Sequence, residues 1–178
     1  MAFPAKVITT NKSWEDFDLT DEIKAQVDAM INWVKSHDES QNGSGKGYKA
    51  LFHGPPKSGK KTAAAYIGKE TGRDIYKIDL SQLISKYVGE TEKNLEVLFA
   101  RAEEKKWILY FDEADDLFGK QAEGKEADDK YGNTEIFYLL QNIWHYAGLM
   151  ILTTKKKEKI EASTMKKFDA VLNFPSKK

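Results

Sequence analysis

The sequence lacks cysteine and has almost no arginine: of its 28 basic residues, two are arginine, Arg73 and Arg101. The absence of cysteine excludes disulfides and thiolate metal sites. The shortage of arginine leaves the chain with few planar guanidinium groups, whose paired hydrogen bonds lysine cannot reproduce. Because 28 acidic residues cancel the basic charge, the composition predicts no bulk attraction to nucleic acid or to an anionic membrane.

Long hydrophobic runs are also missing. The longest, Trp107–Phe111 and Gly148–Leu152, are far too short to cross a bilayer, and the first residues show no apolar signal core behind a basic flank. A chain of 178 residues that is 40% hydrophobic can still bury the core of one globular domain. We therefore expect a cytoplasmic protein with neither a membrane nor a nucleic acid as partner.

The apolar pattern predicts a three-layer α/β domain over residues 21–178, after an extended N-terminal segment over residues 1–20. Parallel strands are predicted over Tyr48–His53, Asp74–Asp79, Trp107–Phe111, Leu149–Thr153 and Ala170–Phe174. Helices are predicted over Asp21–Ser36 (with Thr20 as its cap), Gly59–Thr71, Ser81–Tyr87, Thr91–Lys105 and Asn133–Tyr146. Strands separated by helices indicate a five-stranded parallel sheet that is covered on both faces, with ligand at the carboxyl ends of its strands.

A glycine- and proline-rich turn joins the first of these parallel strands to the next helix. Its residues are Gly54, Pro55, Pro56, Lys57, Ser58, Gly59 and Lys60. In this context the backbone N–H groups of such a turn point at phosphate oxygens, and the helix adds its positive end. The pattern predicts a binding loop for ATP or ADP, in which Lys60 reaches the β- and γ-phosphates. The alternative is an ordinary turn with an exposed lysine.

Two acidic residues, Asp112 and Glu113, follow a buried strand about fifty residues after the glycine- and proline-rich turn. At the carboxyl end of that strand, Asp112 would hold Mg²⁺ through water, and Glu113 would orient or deprotonate the attacking water. Taken alone, the pattern also fits a solvated acidic turn. The two motifs together are far more specific than either one.

Four segments together resemble the classical AAA clade of ATPases. They are WEDF at Trp14–Phe17, GPPKSGK at Gly54–Lys60, SKYVGETEKNLEVLF at Ser85–Phe99 and FDEADDLF at Phe111–Phe118. The resemblance is greatest to bacterial AAA proteins encoded with contractile injection systems. It implies the strand order 5-1-4-3-2, assembly into a homo- or hetero-oligomeric ring, and ATP-driven remodelling of a protein partner. It also implies that Tyr87 and Val88 form a pore loop that grips substrate, although they would equally suit packing at a helix end.

The sequence departs from the family pattern inside the phosphate loop. Lys57 stands where the family usually has glycine, and its side chain costs about 1 kcal/mol or more if positive φ is required. Lys61 stands where a Ser or Thr hydroxyl would bind Mg²⁺. Thr62, one residue later, is the remaining candidate ligand beside Asp112. A helix turns about 100° per residue, so Thr62 is expected to point away from the ion unless the alignment shifts.

Two more departures affect the γ-phosphate sensor and the arginine finger. Lys155 takes the place of the usual polar sensor, with Thr154 beside it as a substitute, and Lys166 and Lys167 replace an arginine pair that reaches the neighbouring subunit. An arginine finger is worth about 10³–10⁵ in rate, and lysine loses its bidentate geometry. The resemblance also implies a helical lid after the last strand, which we expect to be absent because the sequence ends at Lys178.

These features support two functions. The first is an AAA core that binds ATP with weak or impaired hydrolysis and remodels a protein partner. The second is a catalytically inactive, AAA-derived structural or regulatory subunit that binds nucleotide poorly or not at all. A small P-loop kinase is disfavoured, because SKYVGETEKNLEVLF has no role in one. Without a lid or an arginine pair, we expect a monomer or a weak oligomer.

Overall fold

The computed structural model describes residues 5–8, 19–39, 47–79, 91–112, 114, 139–155, 157–160 and 162–175. Six strands are numbered β1 to β6: Ala5–Ile8, Tyr48–His53, Ile75–Asp79, Ile108–Asp112, Leu149–Thr154 and Ala170–Asn173. Three long helices are numbered α1 to α3: Asp21–Glu39, Lys60–Thr71 and Thr91–Lys105. Residues 139–145 are also helical, and two short turns of helix cover Lys157–Lys159 and Ala162–Met165.

The six strands form one sheet in the order β1-β3-β4-β5-β2-β6. All pairs among β2 to β6 are parallel. Counted from β2, those five strands lie in the order 5-1-4-3-2, so the predicted fold class and strand order are confirmed. In this order β2, β4 and β5 are neighbours, which places the turns that follow them at one edge of the sheet.

The edge strand β1 was not predicted. It pairs antiparallel with β3, where Ala5 lies opposite Ile78 and Ile8 opposite Ile75. A four-residue segment carries too little alternation for its sequence to indicate a strand, and its pairing depends on the exposed edge of β3. Part of the N-terminal segment is therefore joined to the sheet, whereas the predicted helix over Ser81–Tyr87 lies outside the described residues.

Both faces of the parallel strands are buried, which explains their nearly continuous apolar sequences. Along β4, Ile108 and Tyr110 pack with the cluster that includes α1 and α2, whereas Leu109 and Phe111 pack with α3 and the helical residues 139–145. Successive side chains of a strand point to opposite faces, so a strand covered on both sides is apolar at most positions. The three layers predicted from the sequence follow from this pattern.

Helix α1 begins at a side-chain cap. The backbone N–H of Ile23 donates to Thr20 Oγ1 at 3.2 Å, as the sequence predicted. The apolar face of the helix is buried; its members are Ile23, Val27, Met30, Ile31 and Val34. None of the described helices combines the length and apolar character that crossing a bilayer requires.

Lys49 is a buried lysine in β2, with only 4% of its surface exposed. Its Nζ donates to the carbonyl oxygen of Tyr146, and Asp169 lies close enough to interact with the charge. Burial lowers the pKa of Lys49 from 10.5 to about 8, against a partial opposing effect of Asp169 and Glu103. Between these two pKa values the unfolded chain binds more protons at this side chain than the folded chain does.

The free energy of unfolding should therefore rise as the pH increases from about 7 to about 9.5, by roughly 2 kcal/mol from Lys49 alone. In Lys49→Met this contribution should disappear, which urea unfolding at the two pH values would measure. The exposed Lys105, changed to methionine, is the control that removes the same charge from the surface. An equal rise in the Lys49→Met variant would contradict the assignment.

Candidate functional site

The turn between β2 and α2 uses three backbone conformations with positive φ. The values are 149° at Gly54, 61° at Lys57 and 105° at Gly59. Glycine is required at the first of these, because a Cβ on Gly54 would lie 2.2 Å from the carbonyl oxygen of Phe174. Gly59 precedes the first residue of α2 as its N-cap. Lys57 adopts a left-handed conformation that the family pattern reserves for glycine, so its backbone is strained.

Three hydrogen bonds hold this loop. Ser58 Oγ donates to the carbonyl oxygen of Pro55 at 2.7 Å, and the Gly54 N–H donates to the carbonyl oxygen of Thr154 at 3.1 Å. Lys60 Nζ donates to the carbonyl oxygen of Gly54 at 2.7 Å. The Lys60 ammonium group therefore lies across the start of the loop, and the loop is tied to the end of β5.

Asp112, the last residue of β4, is held by the two strands beside it. Thr153 of β5 donates its hydroxyl to Asp112 Oδ1 at 3.0 Å. Lys77 of β3 places its Nζ 3.5 Å from Asp112 Oδ2. Lys77 lies opposite Tyr110 in the parallel register, so Lys77, Tyr110 and Asp112 project from the same face of the sheet.

Tyr110 lies beneath this group, almost fully buried. Burial raises the pKa of its hydroxyl, the negative charge of Asp112 raises it further, and a hydrogen bond with the Thr153 side chain offsets part of the rise. The phenol is therefore neutral at physiological pH. It forms the uncharged floor of the site.

The loop and the end of β4 border one cleft of about 490 Å³. Its described lining residues are Pro56, Lys57, Gly59, Lys60, Lys61, Thr62, Lys77, Tyr110, Asp112, Thr153, Thr154 and Lys155. Lys60 and Asp112, which the sequence placed in separate motifs, thus share one cavity at the carboxyl edge of the sheet. Thr62 lines it together with Lys61, so the expected rotation of the helix does not remove Thr62 from the site.

The described lining of the cleft contains five lysines and one carboxylate, that of Asp112. This excess of positive charge at the start of α2, beside a loop with left-handed backbone, suits the binding of phosphate groups. It suits a divalent cation poorly. Both oxygens of Asp112 are engaged by Thr153 and Lys77, and Lys61 adds a further positive charge to the lining.

Among the described residues, no group of three or more His, Asp or Glu side chains is placed to hold a metal ion. This absence does not test Asp112 and Thr62 as Mg²⁺ ligands, because Mg²⁺ at a nucleotide takes one or two protein ligands beside phosphates and water. Their assignment stays a prediction. The sensor candidates differ from each other in exposure: Thr154 is 1% exposed, whereas Lys155 lies on the surface at the rim of the cleft.

The residues at the finger position lie away from the described cleft lining. Lys167 places its Nζ 5.2 Å from the ring centroid of Trp144, a cation–π contact within its own chain. Lys166 is exposed. Arg73 donates from Nη1 to the carbonyl oxygen of Lys106, before the start of β4 and so at the opposite edge of the sheet from the cleft. Glu113, Tyr87 and Val88 lie outside the described residues.

The family model of the ATPase family associated with various cellular activities (AAA) matches residues 50–176. The chain belongs to the AAA family. Over 126 residues this AAA chain is 31% identical to an uncharacterized AAA family ATPase, y4kL, of Sinorhizobium fredii, covering 71% of the chain and 38% of the relative. It is 30% identical over 129 residues to the protein suppressor of K⁺ transport growth defect 1 of Arabidopsis thaliana, covering 70% and 30%.

The AAA chain spans far less than two thirds of these relatives; for the peroxisomal ATPase PEX6 of Komagataella pastoris the share is 10%, at 31% identity over 67% of the chain. Its fold also matches the crystal structure of the FIGL-1 AAA domain, with a TM-score of 0.75 and 20% identity, covering 96% of this chain and 57% of that one. The same domain in complex with ADP gives a TM-score of 0.72 and 21% identity, covering 98% and 59%.

Lys77, Tyr110 and Thr153 are the described lining residues of the AAA cleft that sequence analysis missed. Of these, Lys77 is the one that carries a charge. It lies within β3, two residues before the strand ends, where a charged residue usually indicates a solvated position. The signal that would have revealed it is the parallel register, which sets Lys77 opposite Tyr110 and diagonal to Asp112. That register becomes visible only when the two strands are paired.

We expect Lys57→Gly to raise the free energy of unfolding by about 1 kcal/mol, because glycine adopts the left-handed conformation without a Cβ clash. Lys106 is a matched control, since it has a φ of 57° at the end of α3, outside the cleft. Lys106→Gly should stabilise the domain similarly. Chemical unfolding of both variants would measure this. A loss of stability in Lys57→Gly alone would show that the Lys57 side chain compensates the strain.

Proposed function

We propose that the chain is an AAA-type ATPase core domain that binds ATP and ADP, hydrolyses ATP weakly, and is coupled to the remodelling of a protein partner. The observation that carries the proposal is the shared cleft, in which Lys60 and the left-handed loop lie beside Asp112 at the carboxyl edge of the sheet. Membership of the AAA family supports nucleotide binding. The ADP complex of the FIGL-1 AAA domain, which has the same fold, supports it further.

Four lysines account for the proposed weakness of hydrolysis. Lys57 strains the loop, and Lys61 replaces a hydroxyl with an ammonium group beside the phosphate position. Lys155 takes the sensor position at the cleft rim. Lys167 binds Trp144 of its own chain, and lysine there lacks the bidentate geometry of a finger that is worth about 10³–10⁵ in rate.

The second candidate function is a catalytically inactive, AAA-derived structural or regulatory subunit. The pairing of Asp112 with Lys77 favours it, because this carboxylate is already neutralised inside the chain. In this alternative the cleft would bind nucleotide poorly or not at all, and the sheet would serve as a platform for a partner.

Several roles remain parts of the proposal. Glu113 is proposed as the residue that activates water, and Tyr87 and Val88 as a pore loop for a polypeptide substrate. The relation to contractile injection systems, the cytoplasmic location and the identity of the protein partner stay predictions. The relatives named above do not test them.

The proposed function is tested by calorimetric titration of the chain with ATP and ADP, each with and without Mg²⁺, together with a phosphate-release assay. We expect saturable binding of both nucleotides and slow phosphate release that Glu113→Gln abolishes. Absence of binding under all four conditions would favour the inactive alternative. Rapid phosphate release that is lost in Glu113→Gln would contradict impaired hydrolysis.

We also expect this chain to be monomeric or weakly associated, because Lys166 and Lys167 stand where the family pattern has an arginine pair that reaches the neighbouring subunit, and lysine lacks the bidentate geometry of arginine. Light scattering at micromolar protein, with and without ATP, would measure the mass. A stable hexamer without nucleotide would show that the large domain alone holds a ring, contrary to this expectation.

A further inference from the structure

The Lys77 ammonium group, which is paired with Asp112, is a positively charged group inside the cleft. We propose that Lys77 is a phosphate-binding residue, whose ammonium group bridges Asp112 and the triphosphate of ATP, and that the cleft binds its nucleotide without a divalent metal. This inference rests on the proposed function, since it names the form in which the nucleotide binds. It assigns a role to a strand residue outside both sequence motifs.

Both carboxylate oxygens of Asp112 already have partners within the chain. Its Oδ1 accepts the Thr153 hydroxyl at 3.0 Å, and its Oδ2 lies 3.5 Å from Lys77 Nζ. A metal ion, or a water bound to one, would have to displace one of these partners. It would also have to approach an ammonium group, which repels a cation. The carboxylate is therefore arranged as the counter-ion of a lysine and not as a metal ligand.

The side chain of Lys77 is free to adjust its position. Its side chain is 32% exposed and that of Asp112 is 33% exposed, so solvent screens the pair. The separation of 3.5 Å is longer than the roughly 2.7–2.9 Å of a strong charge-assisted hydrogen bond. Lysine carries its charge on a flexible four-carbon stem. Because the ammonium group has three N–H donors, it can bind a phosphate oxygen in the same cleft while it stays beside Asp112.

The charge of the described cleft lining is opposite to that of a triphosphate. Five lysines and Asp112 give the described lining a net of four positive charges. The triphosphate of metal-free ATP carries roughly four negative charges, because its terminal phosphate is close to doubly ionised near neutral pH. Within the described lining, the lysines thus supply neutralisation that a metal ion would otherwise provide.

The test is calorimetry with ATP and with inorganic tripolyphosphate, each in EDTA and in Mg²⁺. For the unaltered chain we expect binding in EDTA, with affinity that changes by less than about threefold when Mg²⁺ is added. Lys77→Met should weaken metal-free binding by about tenfold, and Lys77→Arg should retain most of it. Asp112→Asn should strengthen it, because a negative charge leaves the cleft. Lys105→Met, at the exposed end of α3 and outside the described cleft lining, is the control for charge alone.

The outcomes separate this inference from the proposed function. Binding of ATP only with Mg²⁺, with the gain lost in Asp112→Asn, would keep the proposed function and overturn the role of Lys77. Binding of tripolyphosphate in EDTA that depends on Lys77, without binding of ATP, would support Lys77 and overturn the proposed function. Equal metal-free affinity of Lys77→Met and the unaltered chain, with both folded by circular dichroism, would also overturn the inference.

Discussion

The carboxylate of Asp112 is the point on which the site depends. It ends β4 between two neighbours, and each supplies one contact: a hydroxyl from Thr153 of β5 and an ammonium group from Lys77 of β3. These contacts arise only because the three strands run parallel and in register at one edge of the sheet. The same edge receives the loop after β2, whose Gly54 N–H is bound to the end of β5. The strand order therefore brings the end of β4, the end of β5 and the loop after β2 together around the cleft.

Much of the fold followed from the sequence, because apolar residues on both faces of a strand and helical spacing between strands leave few arrangements. The strand Tyr48–His53 and the helix Thr91–Lys105 have the predicted bounds. The resemblance to the AAA pattern raised a positive φ at Lys57 only as a condition, and the structure gives Lys57 a φ of 61°. The edge strand β1 was missed because its pairing depends on β3, and Lys77 was missed because its role depends on register.

The described lining of this cleft carries more lysines than a typical phosphate loop. A phosphate loop normally combines a flexible glycine backbone with a lysine and a metal ion. In this chain the described lining of the cleft has lysine at position 57, at position 61 and at the end of the sheet, around one aspartate. Lys57 adds one of these charges, but its side chain strains the left-handed backbone at that position. The described lining is therefore suited to phosphate groups.

The most direct test of this account is a crystal structure of the chain with ATP, grown with Mg²⁺ present. The account predicts the triphosphate in the cleft, with Lys77 Nζ within about 3 Å of a phosphate oxygen and no ion at Asp112. An ion bound between Asp112 and the phosphates, with Lys77 turned away from both, would contradict it.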